Sequence, residues 1–182
     1  LSDLVSENLL SQRMSEFLEL CVRARKNVVV CGGPGAGSGT LLCSLASAIP
    51  GDERIVLVEQ VAQLQLPQPH VVTLEPRPLK EGSSAVAMRD LVANAVRMRP
   101  QRLVVHDVSG AEALELSMAM AGRQDGTLFS MYAGSVRDCL DRLETMIRMA
   151  GLDVQARVIR EQIAASVDVI VVATRFADGD RK

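Results

Sequence analysis

The chain has 182 residues, 48% of them hydrophobic and 23% charged, with a formal net charge of −2. That length and balance suit one domain with a substantial core and exclude a disordered tail or low-complexity linker. The absence of a basic excess argues against nucleic acid as the main partner, aromatics at 2% argue against a base-stacking platform, and no apolar run approaches the ~18 residues of a membrane span.

Leu10, Met14, Phe17, Leu18, Cys21 and Val22 recur at helical spacing and predict a helix over 9–25. The β-branched run at 27–31 ends in glycines and reads as a buried parallel strand, followed by a helix over 39–48. A strand at 55–58 stops at Glu59-Gln60, and the proline-rich stretch 66–82 holds one further strand at 70–74. Alternation then becomes regular: helix 85–99, strand 103–108, helix 111–121, strand 127–131, helices 136–150 and 154–166, and a last strand at 169–174. Met118, Met120, Met146 and Met149 are expected to fill an aliphatic core, and the charges of 178–182 to form an exposed terminus. Strands alternating with helices imply an α/β fold, its mostly parallel sheet covered by helices on both faces. Ligands in such sheets sit beyond the carboxyl ends of the strands, here just after Cys31, Val58, Val105 and Met131.

Cys21, Cys31, Cys43 and Cys139 show no CxxC spacing and lie in apolar contexts, as structural thiols of a reducing compartment do. Residue 1 is Leu and no signal peptide is present, so the expectation is an excerpt of a longer cytoplasmic protein.

The first strand runs into a glycine-rich turn and a helix: Gly32, Gly33, Pro34, Gly35, Ala36, Gly37, Ser38, Gly39 and Thr40. Glycines let backbone N–H groups converge on one point at a helix N-terminus, which is how phosphate is held. The full fingerprint, GxxxxGK[ST], adds a Lys for the β/γ-phosphates and a hydroxyl for Mg²⁺. Gly32 and Gly37 have that spacing, but Ser38 stands where Lys belongs and Gly39 where the hydroxyl belongs.

Around the loop stand Ala24-Arg-Lys-Asn-Val-Val-Val, Asp52-Glu-Arg-Ile-Val, the stretch 64–72, Leu74-Glu-Pro-Arg-Pro78, Arg89-Asp-Leu-Val and Arg97-Met-Arg-Pro100. Gly110-Ala-Glu-Ala-Leu114, Asp125-Gly126, Arg142-Leu-Glu-Thr-Met146 and Ile159-Arg-Glu-Gln-Ile163 follow. In these segments the chain resembles the C-terminal, RecA-like domain of bacterial type II/IV secretion ATPases, particularly the CpaF type that powers Tad/Flp pilus assembly. The resemblance runs over nearly all of 1–182 and implies a RecA-like P-loop NTPase sandwich, with the family's N-terminal domain absent. It also implies a hexameric family that hydrolyses ATP beside an inner-membrane platform.

Position by position, the scaffold matches while the chemistry does not. The family loop looks like GGTGSGKTT, against GGPGAGSGT here, where Thr40 matches the second Thr. The family's Glu-Asp pair falls at Glu59 and Gln60, and its Gly-Glu-Val-Arg-Gly at His106-Asp-Val-Ser-Gly110, so that Asp107 keeps a carboxylate one methylene shorter. The two histidines of the family's His box fall at Gln124 and Tyr132. Arg77, Arg89, Arg97 and Arg99 resemble family arginines that face phosphates or a neighbouring subunit; a solvated or salt-bridged face is the plainer reading. Asp107 reads either as a cap for the helix from Ala111 or as a residual water-positioning group, and Glu59 as a cap, an Arg partner or a site carboxylate. His70 and His106 lack metal-ligand spacing and read as ordinary core or surface histidines, and no metal site is expected.

The expected function is therefore a pseudo-ATPase relative of the secretion ATPases. It would be a structural or regulatory subunit that contacts secretion or pilus-assembly proteins, an active secretion ATPase or a membrane platform, as a homo- or hetero-oligomer. The alternatives are a nucleotide sensor without hydrolysis, and a working ATPase whose phosphate-binding residues come from elsewhere. On the pseudo-ATPase reading no cofactor is required, ATP, ADP or phosphate is expected to bind weakly, and no use of Mg²⁺ is expected. Restoring Lys at Ser38 and Thr at Gly39 is expected to tighten nucleotide binding without returning turnover.

Overall fold

The structure, a computed structural model, describes residues 1–78, 84–151 and 154–175. The expected terminus at 178–182 and the end of the proline-rich stretch lie outside these. Two short helices, α1 (Ser2–Ser6) and α2 (Gln12–Arg23), lead into β1 (Val28–Gly32) and α3 (Ser38–Ser47). Then come β2 (Ile55–Glu59), β3 (Val71–Leu74), α4 (Met88–Arg97), β4 (Arg102–Val108), α5 (Glu112–Ala121) and β5 (Leu128–Tyr132). The chain closes with α6 (Val136–Met149), α7 (Ala156–Ser166) and β6 (Val169–Ala173).

Six strands form one sheet in the order β3-β2-β4-β5-β1-β6, and every neighbouring pair is parallel. Because side chains alternate along a strand, each strand feeds two cores. Val29, Cys31, Val56, Val58, Leu103, Val105, Phe129 and Met131 pack with buried residues of α4, α5, α6 and α7. Val28, Val30, Ile55, Leu57, Val104 and Leu128 pack with α1, α2 and α3 on the other face. The short, uninterrupted Val/Ile/Leu runs are thus the mark of strands covered on both sides.

Two expectations change. The helix predicted over 9–25 starts only at Gln12, where the Ser11 hydroxyl accepts the Met14 N–H at 3.2 Å. Leu10 is buried in the turn before it, and Leu18, Cys21 and Val22 make the buried stripe while Met14 and Phe17 are exposed. A capping hydroxyl stops the helix where apolar spacing alone would carry it on. Among the methionines, Met120 and Met146 pack in the core, whereas Met118 and Met149 are exposed.

The amino ends of the strands are held by a buried ion pair. Arg102, which begins β4, is fully buried and donates from Nε to Glu53 at 2.7 Å and from Nη2 to the Val22 carbonyl at 2.7 Å. Gly126 (φ +75) lies against this guanidinium, and a Cβ there would collide with it. Arg102→Ala should destabilise the fold by about 3 kcal/mol, at the low end for breaking a buried pair because Arg25 still bonds Glu53 at 3.0 Å. Urea unfolding should show a lower midpoint at unchanged m.

Candidate functional site at the carboxyl edge of the sheet

The glycine loop closes on Gly37, whose left-handed backbone (φ 92) starts α3 with no side chain capping it. Only glycine takes that conformation without strain. The N–H groups of Ser38, Gly39 and Thr40 in the first turn therefore have no intrahelical acceptor and are left for water or a ligand. A cavity of about 300 Å³ opens beside the loop, lined by Gly32, Gly33, Pro34, Gly35 and Ser38 on one side. Gln60, His106, Asp107, Ser130 and Tyr132 are among the residues lining the other. An adjoining cavity of about 460 Å³ runs past Gly37, Gly39, Thr40, Cys43 and His106. Ala36 is buried behind the loop.

His106 is the residue the sequence reading passed over. In parallel register it pairs with Glu59, and its parity places it on the α3 face of the sheet. Its Nδ1 shares a hydrogen bond of 2.7 Å with Ser130 Oγ. The opposite ring edge lies against α3: a Cβ on Gly39 would sit 3.0 Å from Cε1 and 3.3 Å from Nε2. The ring thus occupies space that a side chain at position 39 would claim. Neither Gly39 nor His106 offers a hydroxyl at this point.

Asp107 does not cap the next helix. It sits in a bulge of β4 with φ 63, gives its N–H to Ser130 Oγ at 2.9 Å, and is exposed to the cavity. Among the described residues no side chain caps α5; Glu112, its first residue, turns back so that its Oε1 accepts the N–H groups of Ser109 and Gly110 just before the helix at 2.7 Å each. Glu59 is fully buried; its Oε2 accepts the Gln63 and Leu64 N–H groups at 3.1 Å each, which ties down the turn after β2. Among the described residues its other oxygen has no partner, and Glu59 pairs with no arginine.

Tyr132 ends β5 at the cavity, its ring under the Arg142 guanidinium at 5.4 Å. The Gly134 N–H, and then Arg142, hold the neighbouring Asp138 carboxyl below its ordinary range. Gln124, by contrast, precedes β5 at the far end of the sheet and donates to the Pro100 carbonyl at 3.2 Å. It takes no part in the cavity. Behind the loop, bonding to Cys31 and burial push the Cys139 thiol well above its ordinary value, so that it stays protonated. All four cysteines are free.

None of the four arginines lines these cavities. Arg89 holds Glu115 at 2.9 Å and the Ala150 carbonyl at 3.2 Å, Arg77 reaches the Ser84 carbonyl, and Arg97 and Arg99 are exposed at the other end of the sheet. The cation at the loop is Arg175, which no sequence signal singled out: its Nη1 lies 3.3 Å from the point where Gly35 would carry a Cβ. Only the pairing of β6 beside β1 brings it there.

Residues 2–178 match the family model described as type II/IV secretion system protein. The chain belongs to that family. It is 40% identical over 162 residues, 88% of its length, to a Mycobacterium tuberculosis protein whose name places it in conjugal transfer, and covers 46% of that relative. It is 33% identical over 167 residues, 89% of its length, to the type IV secretion system protein PtlH of Bordetella pertussis, of which it covers 49%. The chain spans about half the length of the curated relatives it matches. The crystal structure of the VirB11 ATPase from the Brucella suis type IV secretion system, in complex with sulphate, superposes with a TM-score of 0.86 at 27% identity. That match covers 98% of this chain and 53% of VirB11. The pilus retraction motor PilT shares the fold at a TM-score of 0.65 and 19% identity, over 87% of this chain and 45% of that one. The fold is that of the RecA-like ATPases.

The packing of His106 on Gly39 revises the expected effect of repairing the loop. Gly39→Thr should drive its Cβ into the imidazole and destabilise the protein by about 1–3 kcal/mol. Adding His106→Gly should recover much of that loss, so that the double variant melts higher than Gly39→Thr alone.

Proposed function

We propose that this chain is a catalytically degenerate member of the family, of CpaF type, with residues 1–182 as its RecA-like domain. It serves as a structural or regulatory subunit in secretion or pilus assembly. One observation carries the reading: Gly39 brings no hydroxyl to the place where the family holds Mg²⁺, and His106 packs so closely on it that a side chain there would need the imidazole to shift. Ser38 and Gln60 add to it, since phosphoryl transfer depends almost entirely on positioned charge. On this reading the domain works through contacts, with an active secretion ATPase or a membrane platform at the cytoplasmic face, in a homo- or hetero-oligomer. No helix among the described residues is long and apolar enough to cross a membrane.

The uncapped start of α3 and the cavity beside it support a second property of the same site. The loop keeps a weak affinity for the phosphate groups of ATP or ADP, or for phosphate itself, through backbone N–H groups and the helix dipole. Thermal shift with ADP should be small and indifferent to Mg²⁺.

The activity test is phosphate release from ATP at high protein concentration. The chain should release no more than a buffer control. Sustained release that disappears on Asp107→Ala would overturn the pseudo-ATPase reading.

A further inference from the structure

Two groups stand where the loop has lost its own. The first is His106, a large residue where the family has Gly, facing Gly39, where the family has a hydroxyl. Its Nδ1 is engaged by Ser130 Oγ at 2.7 Å, and that oxygen also accepts the Asp107 N–H at 2.9 Å. The Ser130 O–H can donate to Nδ1 while Oγ accepts the Asp107 N–H, and in that arrangement the proton of the neutral ring lies on Nε2. Nε2 lies on the ring edge turned to α3, 3.3 Å from the Cβ position of Gly39. In that tautomer the ring presents a donor at the first turn of α3.

The second is Arg175. Ala173 is the β6 partner of Gly32, the first residue of the loop, so the chain two residues further on passes directly beside Gly35. The guanidinium Nη1 stands 3.3 Å from the Cβ position of that glycine. A guanidinium keeps its charge at any pH the protein meets and offers a fork of donors suited to phosphate oxygens.

Building on the retained phosphate affinity proposed above, we propose that His106 and Arg175 replace the absent Lys and hydroxyl, and that they hold a phosphate or diphosphate group in the loop without a divalent metal. Arg175 supplies the charge from the Gly35 side, and His106 supplies a directed N–H from the Gly39 side.

The probe is inorganic pyrophosphate, titrated calorimetrically into the whole chain in EDTA and again with excess Mg²⁺. Binding is expected in EDTA, with no gain from Mg²⁺. Arg175→Ala and His106→Ala should each weaken it by about tenfold or more, as expected for losing a hydrogen bond to a charged group. His106→Gln, which keeps an N–H donor near the position of Nε2, should bind more tightly than His106→Ala. Melting temperatures without ligand control for folding, and Arg175→Ala, at an exposed side chain, carries the test if His106→Ala is unstable. No binding in EDTA at millimolar pyrophosphate, binding only with Mg²⁺, or wild-type affinity in a folded alanine variant would overturn the assignment. Such a result leaves the pseudo-ATPase reading standing, whereas ATP turnover overturns that reading by itself.

Discussion

Side chains alternate along a β-strand, and parallel strands in register keep that alternation in step across a sheet. In this protein the constraint sorts almost everything else. Val28, Val30 and Gly32 of β1, Leu128 and Ser130 of β5, Val104 and His106 of β4, and Ile55, Leu57 and Glu59 of β2 share the face on which α3 lies. The apolar members make the core beneath that helix. Toward the carboxyl ends the rows turn polar or small, at Gly32, Ser130, His106 and Glu59, and His106 packs on the start of α3. One periodicity therefore builds the core and delivers the site.

The two ends of the sheet do different work. At the amino ends, Arg102, Glu53 and Arg25 are locked together and Gln124 closes on the Pro100 carbonyl. At the carboxyl ends, the loop N–H groups, the Asp107 carboxylate, Gln60 and Tyr132 face an open cavity. Secretion-system relatives match this chain over most of its length. Small changes there alter what the site binds without disturbing the cores, because those side chains are the ones that packing does not dictate.

The contact between His106 and Gly39 shows how such a change propagates. Losing a side chain at position 39 would leave a gap in a densely packed corner, and a void forfeits its contacts on both sides. The imidazole fills it, anchored through Ser130, and in doing so sets both the shape of the cavity and the identity of the donor within it. Neither residue is informative alone. A glycine in a glycine-rich loop and a histidine at a strand end are each unremarkable.

Local sequence determined the elements: β-branched runs bounded by glycine and proline placed every strand within a residue or two, because fully covered strands must be apolar throughout. That Ser38 and Gly39 depart from the GxxxxGK[ST] fingerprint was also legible, since a loop fingerprint is a matter of adjacent positions. Strand order was not. Only the assembled sheet sets β5 between β1 and β4, which joins Ser130 to His106, and puts β6 beside β1, which brings Arg175 to Gly35. The same assembly carried Gln124 away from the site and turned Asp107 to the cavity rather than to the start of α5. Periodicity reports which face a residue takes within its own element. Which residues from distant elements then share a few ångströms is decided by how the elements pack, and the chemistry of this edge depends on that proximity.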